Sequence, residues 1–543
     1  MEVRSWFRFL LLALLISTPL IWEGCRPFST TARSVKVTWD ADLQKGKEVF
    51  LSRSPLSIPK SSQPNIILIV CDDLGKYEVS AYGSKHIITP HLDQLGAEGV
   101  VFEQGYVTSA TCAPSRAGML TGRMQNRFGF ETQVNEVYPQ NALAYRIGKK
   151  ILKKTEFVIK TQPPWPKEDQ IRRQGLPPSE INLAEALKHQ GYATALIGKW
   201  HLGRSEFQHP NALGFDYQYG FQGASSLYTA EKECPGIVNY EHDLQSARYQ
   251  WKKGRNGTAA ISENGSPVKE ERYLTFAIRD QAIEFMQQHR DQPFFMMCTF
   301  NAPHIPFQAP QEHVDRFSHI DDPNKQVYYG MISALDDAVG GIHQSVKDLG
   351  MEENTLIVFL SDNGGALYTG ATENGPLKGG KFTHFEGGVN IPFLMKWKGR
   401  IPGGQRYGSP VSSTDIFPTA LAAAGGGLPS DRTYDGVDLL PFLDGRNAKA
   451  PHSRLVWRAD HIWAMRKGDY KLILSTRDKW LEFYNLTDDP YESFNLIGRV
   501  PELIKAFCEE HYKWQQELPE QYLWKRLVDY NVTLNGKEYF FPS

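Results

Sequence analysis

Three kinds of apolar pattern alternate along the chain. The first is a continuous apolar run ending on two aspartates, QPNIILIVCDDLG. An unbroken short run of this kind predicts a strand covered on both faces, as in a parallel sheet. The second is amphipathic with helical spacing: INLAEALKHQGY, closed by Gly191, then YLTFAIRDQAIEFMQQH and YYGMISALDDAVGGIHQSVKDLG. Each of these is followed by another apolar run. ATALIGKWHLG ends on Lys199 and His201, PFFMMCTFNAPH on His304, and NTLIVFLSDNGG on Asp362 and Asn363. Repeated helix-then-strand units predict an α/β fold, a large doubly wound parallel or mixed sheet flanked by helices with right-handed crossovers. In the third pattern, from about residue 451, RLVWRADHIWAMRKGDYKLILSTRDKWLEFYNL alternates and turns like short antiparallel strands, and PELIKAFCEEHYKWQQEL reads as one helix. This predicts a larger α/β unit over 64–450 and a smaller α+β C-terminal domain over 451–543.

A chain of 543 residues, 41% hydrophobic, is long for one compact core, which agrees with two units. Its beginning, MEVRSWFRFLLLALLISTPLIWEGC, puts Arg4 and Arg8 ahead of an apolar run that Pro19 interrupts. That predicts a secretory signal over 1–32 with cleavage after Ala32, rather than a transmembrane helix. A lipid on Cys25 is the rival reading; either way the chain is expected to be exported, to the periplasm, cell surface or medium of a bacterium, or to a lysosome or the exterior of a eukaryotic cell. Residues 33–63 read as a polar linker. Net charge is −1, from 60 basic and 61 acidic residues, so no global field favours nucleic acid. The six cysteines lack any CxxC pair, which excludes a disulfide framework and a zinc signature.

Ligands of doubly wound sheets bind at the carboxyl ends of strands. Here those ends carry Asp72, Asp73, Lys199, His201, His304, Asp362 and Asn363. Three carboxylates and an amide suit a hard cation, Ca²⁺ before Mg²⁺, and do not suit zinc. Separately, TCAPSRAGMLTGR places Cys112 at the first turn of a predicted helix, with Arg116 one turn on. Helix terminus and arginine together would acidify the thiol and make it a nucleophile. A soft thiolate beside an oxygen-ligated cation is nevertheless a chemical mismatch; such a site calls for an oxygen nucleophile.

CAPSRAGMLTG resembles the signature of the type I sulfatases, Cys-x-Pro-Ser-Arg-x-x-x-x-Thr-Gly, at every fixed position. IVCDDLG, ALIGKWHLG, NAPHIPF, FLSDNGG, GPLKGGKFTHFEGGV and AMRKGDYKLI…FYNLTDDPYESFNL follow that family's order. The chain is thus similar to formylglycine-dependent sulfatases of the alkaline-phosphatase-like superfamily, in particular secreted bacterial polysaccharide sulfatases. The resemblance implies that a formylglycine-generating or sulfatase-maturating enzyme oxidises Cys112 to formylglycine (3-oxoalanine), whose hydrate attacks sulfur. It implies Asp72, Asp73, Asp362, Asn363 and modified Cys112 as ligands of one Ca²⁺. Arg116 would steady the hydrate, Lys199 and Lys381 would bind sulfate, His201 would help collapse the hemiacetal, and His304 would protonate the leaving alcohol. The implied substrate is a sulfated polysaccharide or its oligosaccharides, algal glycans such as ulvan or carrageenan or animal glycosaminoglycans. A phosphonate monoester or phosphodiester hydrolase with the same nucleophile, and an inactive glycan-binding relative, are the alternatives.

Two departures from the family pattern are Lys76, in Leu-Gly-Lys-Tyr, and Asn390, where many relatives carry arginine. Lys378 reads as structural, as do His461, Cys71 and Cys298; His384 reads as a solvated loop histidine. RIGKKILKKTEFVIK, 146–160, is a basic insertion that fits either a polyanion-guiding patch or a solvated amphipathic helix.

Overall fold

The computed structural model describes residues 39–543 except 55–62, 137, 140, 153–154, 160–162 and 521. The signal over 1–32, Cys25 and residues 33–38 and 55–62 of the expected linker lie outside the described residues, as do Lys153, Lys154 and Lys160. The rest of that stretch is not a plain linker, since Ala41–Ser52 is a helix, capped by Asp40, that buries Lys47 and Phe50 against the main body.

A ten-stranded mixed sheet organises the main body. Its centre is parallel: Thr355–Ser361, Asn65–Cys71, Phe294–Thr299, Ala193–Lys199 and Tyr217–Phe221 lie side by side in that order. Phe393–Lys396 adds an antiparallel strand beyond Thr355–Ser361, followed by Val100–Phe102 and Gln405–Tyr407. The expected doubly wound α/β architecture is what the chain adopts. Every residue of Asn65–Cys71 is buried, because both faces of the sheet are covered. Ile66, Leu68 and Val70 enter one core, whereas Ile67, Ile69 and Cys71 enter the other, the period-two alternation of a pleated strand.

The helices follow their sequence signals. Leu183–His189 is capped by Asn182, whose side chain accepts from Ala184 and Glu185 backbone N–H groups while Glu185 bonds back to Asn182. Leu274–Gln288 buries Leu274, Ala277, Ile278, Phe285 and Met286, the apolar stripe its spacing requires. The helix Pro323–Asp348 starts on the side-chain cap of Asp322.

In the C-terminal region, Leu455–Ala459, Ile462–Lys467, Tyr470–Ser475 and Trp480–Asn485 form an antiparallel sheet. One face packs on Pro501–Gln515 through Met465, Leu472, Phe483, Ile504 and Phe507. The other gives Trp457, Ile462 and Ile473 to a core shared with the main sheet. A further three-stranded sheet pairs Phe157–Ile159 of the insertion with Val528–Leu534, which pairs in turn with Lys537–Pro542. It brings the insertion and the end of the chain together beside Phe382, the neighbour of Lys381: the Phe157 and Phe382 ring centroids are 5.6 Å apart.

Candidate active site

Asp72 and Asp73 leave the end of Asn65–Cys71, and Asp362 and Asn363 leave the adjacent Thr355–Ser361, so parallel pairing alone makes these four residues neighbours. The Asp362 N–H donates to the Cys71 carbonyl (3.0 Å), and the Asp73 N–H to Asp362 Oδ1 (3.3 Å). Asn363 Nδ2 donates to Asp73 Oδ1 at 2.8 Å, leaving Asn363 Oδ1 buried with no partner. All four are buried.

The helix Cys112–Thr121 enters this cluster by its first turn, and all ten of its residues are buried. Cys112 Sγ lies 3.4 Å from Asp72 Oδ1 and 3.9 Å from Asp73 Oδ1. Two glycines let the helix pack so deeply. A Cβ on Gly118 would fall 2.3 Å from Thr108 Oγ1, and Gly122 (φ +68°) closes the helix against Phe417 in the left-handed region. Arg116 Nε donates to Asp362 Oδ2 (2.8 Å) and Nη1 to the Lys199 carbonyl (3.1 Å), whereas Nη2 is buried without a partner.

Cations answer the carboxylates from two other elements. Lys199 Nζ donates to Asp72 Oδ2 at 2.6 Å, and Lys381 Nζ to Asp73 Oδ2 at 2.8 Å. His304 Nε2 is 3.6 Å from Asp73 Oδ2. Its Nδ1 lies 2.6 Å from the Ile305 carbonyl, an acceptor only, so Nδ1 carries the hydrogen and Nε2 faces the cluster. His201, at φ +58°, is buried with both ring nitrogens unpartnered. Asp73 (φ +63°) and Phe382 (φ +74°) share this uncommon backbone region; strain of this kind costs of order 1–3 kcal/mol per residue and gathers at functional sites.

Electrostatics follow from burial among mixed charges. Burial would raise the Asp72 carboxyl, but Lys199, with His304, Arg116 and Lys381 behind it, outweighs this and holds it below the ordinary range. For Asp362, burial and then the Asp72 charge win, pushing it up to about 6. Burial followed by Lys381 lowers His304 to about 4, and burial followed by Lys199 holds His201 well below its ordinary value. The thiol differs from its sequence expectation: burial pushes Cys112 up to about 12 despite Lys199 and Lys381. The expected acidification is absent because the thiol is fully buried, and the Asp362 and Asp72 charges beside it add to that effect.

All ten sequence-derived site residues therefore gather in one buried cluster at the strand ends. Lys378 does not; its ammonium bonds Glu482 Oε2 (2.9 Å) and the Tyr484 hydroxyl (3.0 Å) in the C-terminal sheet. His384 is buried rather than solvated, its ring stacked 6.2 Å from Phe541. The two departures from the family pattern converge outside the site, on Glu386: Asn390 Nδ2 donates to its Oε2 (2.9 Å), and Lys76 feels its charge. Sequence reasoning missed Tyr228, in the GFQGASSLY loop. Its hydroxyl bonds the carbonyls of Asn301 (2.6 Å) and His304 (2.9 Å), which fixes the His304 backbone; nothing in that loop's composition marks it.

A family model for sulfatases matches residues 64–426. The chain belongs to the sulfatase family. It is 33% identical over 432 residues to N-acetylgalactosamine-6-sulfatase of Mus musculus, covering 78% of this chain and 75% of that protein. It is 30% identical over 455 residues to human steryl-sulfatase, covering 73% of this chain and 72% of that one. Among solved structures, Ps i-CgsB superimposes with a TM-score of 0.70 at 30% identity, covering 85% of this chain and 95% of its own, and was also solved with k-i-k-neocarrahexaose. A phosphonate monoester hydrolase of Agrobacterium radiobacter shares the fold, with a TM-score of 0.56 at 19% identity over 88% of this sulfatase and 99% of that chain. This sulfatase is a sulfuric ester hydrolase.

Proposed function

We propose that this exported sulfatase removes sulfate from sulfated polysaccharide or its oligosaccharides, with Cys112 converted to formylglycine and one Ca²⁺ at the carboxylate cluster. The observation that carries the reading is the approach of Cys112 Sγ to Asp72 and Asp73, with Lys199 and Lys381 bound to the same two carboxylates. A thiol raised to about 12 is a poor nucleophile as encoded, which supports its replacement by an oxygen nucleophile.

Three buried carboxylates and the orphaned Asn363 Oδ1 form an all-oxygen donor set that fits a hard cation. Asp72, Asp73, Asp362 and Asn363 would hold it together with an oxygen of modified Cys112. When bound, such an ion offsets the carboxylate repulsion and favours the ionised form of the nucleophilic hydroxyl.

The chain's own groups supply the remainder. One hydroxyl of the formylglycine hydrate, ionised with its proton released to solvent, would attack sulfur, and the bond from sulfur to the leaving oxygen would break. His304, neutral at rest because burial and then Lys381 lower it to about 4, would take up a proton at Nε2 as the sulfate charge enters and pass it to that oxygen, while Lys199 and Lys381 share their N–H groups with the non-bridging oxygens. Arg116, with Nη2 free, orients the hydrate. His201 takes the proton of the second hydroxyl; the carbon–oxygen bond to sulfate breaks, the aldehyde re-forms and sulfate departs. Maturation requires a formylglycine-generating or sulfatase-maturating enzyme.

The carbohydrate assignment draws support from the name of the N-acetylgalactosamine-6-sulfatase relative and from the k-i-k-neocarrahexaose held in a complex of Ps i-CgsB. Sulfate release from a panel of defined sulfated algal and glycosaminoglycan oligosaccharides tests it, with aryl sulfate and aryl phosphodiester run alongside. Faster turnover of the phosphodiester would favour the phosphonate monoester or phosphodiester hydrolase reading. Cys112→Ala is expected to abolish turnover, and mass spectrometry of the peptide spanning Cys112 to show an aldehyde; a thiol in active enzyme would sink the mechanism.

A further inference from the structure

The helix Ala142–Leu152 turns its aliphatic face away from the protein. Leu143, Ile147 and Ile151 recur at one-turn spacing and are 66%, 51% and 48% exposed. The opposite side, Ala144, Tyr145, Gly148 and Leu152, is only half-buried, and no residue of the helix is fully buried. Gly148 there admits Ile159, whose Cδ1 lies 2.8 Å from where a Cβ would stand. Other amphipathic helices of the molecule do the reverse: Pro501–Gln515 buries Ile504, Phe507 and Trp514. A helix that keeps its small residues for the protein and its large aliphatics for the exterior needs a second apolar phase to cover them.

Charge identifies that phase. Arg146, Lys149 and Lys150 occupy the exposed arc next to the aliphatic one, and the helix carries no acidic residue. None of the three is ion-paired among the described residues; the Lys149 ammonium rests over the Tyr145 ring at 5.6 Å. Across a groove of about 530 Å³, lined by Ala144, Gly148 and Tyr249 among others, the helix Gln245–Lys253 presents Tyr249, 50% exposed, and exposed Lys252. A second copy docked across a two-fold axis would bring like charges together. A soluble polyanion would satisfy the cations and leave the aliphatics in water. An anionic bilayer surface answers both at once, acyl chains for the stripe and headgroups for the cations.

We propose that the helix Ala142–Leu152 docks this sulfatase on an anionic membrane surface, with Leu143, Ile147 and Ile151 at the headgroup–acyl boundary and Arg146, Lys149 and Lys150 on the headgroups. The test is co-sedimentation of the full chain with phosphatidylcholine vesicles, with and without phosphatidylglycerol. The protein is expected to pellet with the anionic vesicles, less so as salt is raised. The triple variant Leu143→Ser, Ile147→Ser, Ile151→Ser should lower the partition about tenfold or more while keeping aryl sulfate turnover and melting temperature. Because both proteins carry the same Cys25, the comparison holds any lipid there constant. Equal pelleting of the two proteins would overturn the proposal, as would wild type remaining in the supernatant with both vesicle types. So would a dimer in light scattering that the triple variant loses, without vesicle binding. Retention of a soluble sulfated polysaccharide that depends on Arg146, Lys149 and Lys150 alone, again without vesicle binding, would assign the helix to substrate instead.

Discussion

A thiol at the first turn of a helix, with an arginine one turn on, is ordinarily acidified. Cys112 is not, because the thiol and the whole helix around it are buried, and the Asp362 and Asp72 charges nearby oppose its ionisation. Residue type and spacing were enough to find Cys112, Arg116 and the strand-end acids; which neighbour neutralises which was beyond them, since the Lys199–Asp72 and Lys381–Asp73 pairs join segments distant in sequence. The same holds for His304. Its position at a strand end was legible, but the bond from Nδ1 to the Ile305 carbonyl that turns Nε2 toward the cluster is visible only in three dimensions. That orientation makes a specific prediction. His304→Ala should slow hydrolysis of sugar sulfates by roughly 10²–10⁴, the usual worth of general acid help, because an alkoxide leaves poorly without a proton. An aryl sulfate whose phenolate is stable should lose far less. Paired kcat measurements on the two substrate types check this, and an equal loss on both would remove His304 from the acid role.

At the level of elements, the apolar runs and helical stripes identified the central parallel strands and their connecting helices, since burial on both faces of a sheet leaves a continuous apolar record. The three-stranded sheet left none. Asn535 and Gly536 (φ +50° and +76°) are a strong hairpin pair, but the third strand, Phe157–Ile159, is three residues of insertion whose partner lies near the other end of the chain. His384 was misjudged for the same reason: its loop is covered by Phe541 of that sheet. The Cys112–Thr121 helix is held by contacts too close for any larger residue at Gly118. Gly118→Val should therefore destabilise the protein by about 1–3 kcal/mol, the usual cost of overpacking, and lower activity by displacing Cys112. Denaturant unfolding monitored with turnover checks it; unchanged stability would mean that Thr108 moves aside freely.

For the whole molecule, the site sits where the two central strands, the buried helix and the Lys381 loop converge, so an ion bound there couples to global stability. Calcium added to chelator-treated protein is expected to raise the melting temperature and restore turnover. An ion at a hundredfold over its dissociation constant adds roughly 3 kcal/mol. Scanning calorimetry with and without chelator decides it, and an unchanged transition with full activity would remove the cation from the site.

The burial of the Cys112–Thr121 helix also bears on the order of events in the life of the chain. Cys112 is 1% exposed and Arg116 fully enclosed, so no second enzyme can seat that segment in its own cleft once folding is complete. The conversion proposed for the thiol would therefore have to precede closure of the core, while the segment is still an extended peptide. Protein that folds before meeting its maturation partner would be locked as the thiol form, stable and permanently silent. The fraction of active molecules is then set by a race between folding and modification, and slowing the first should raise it.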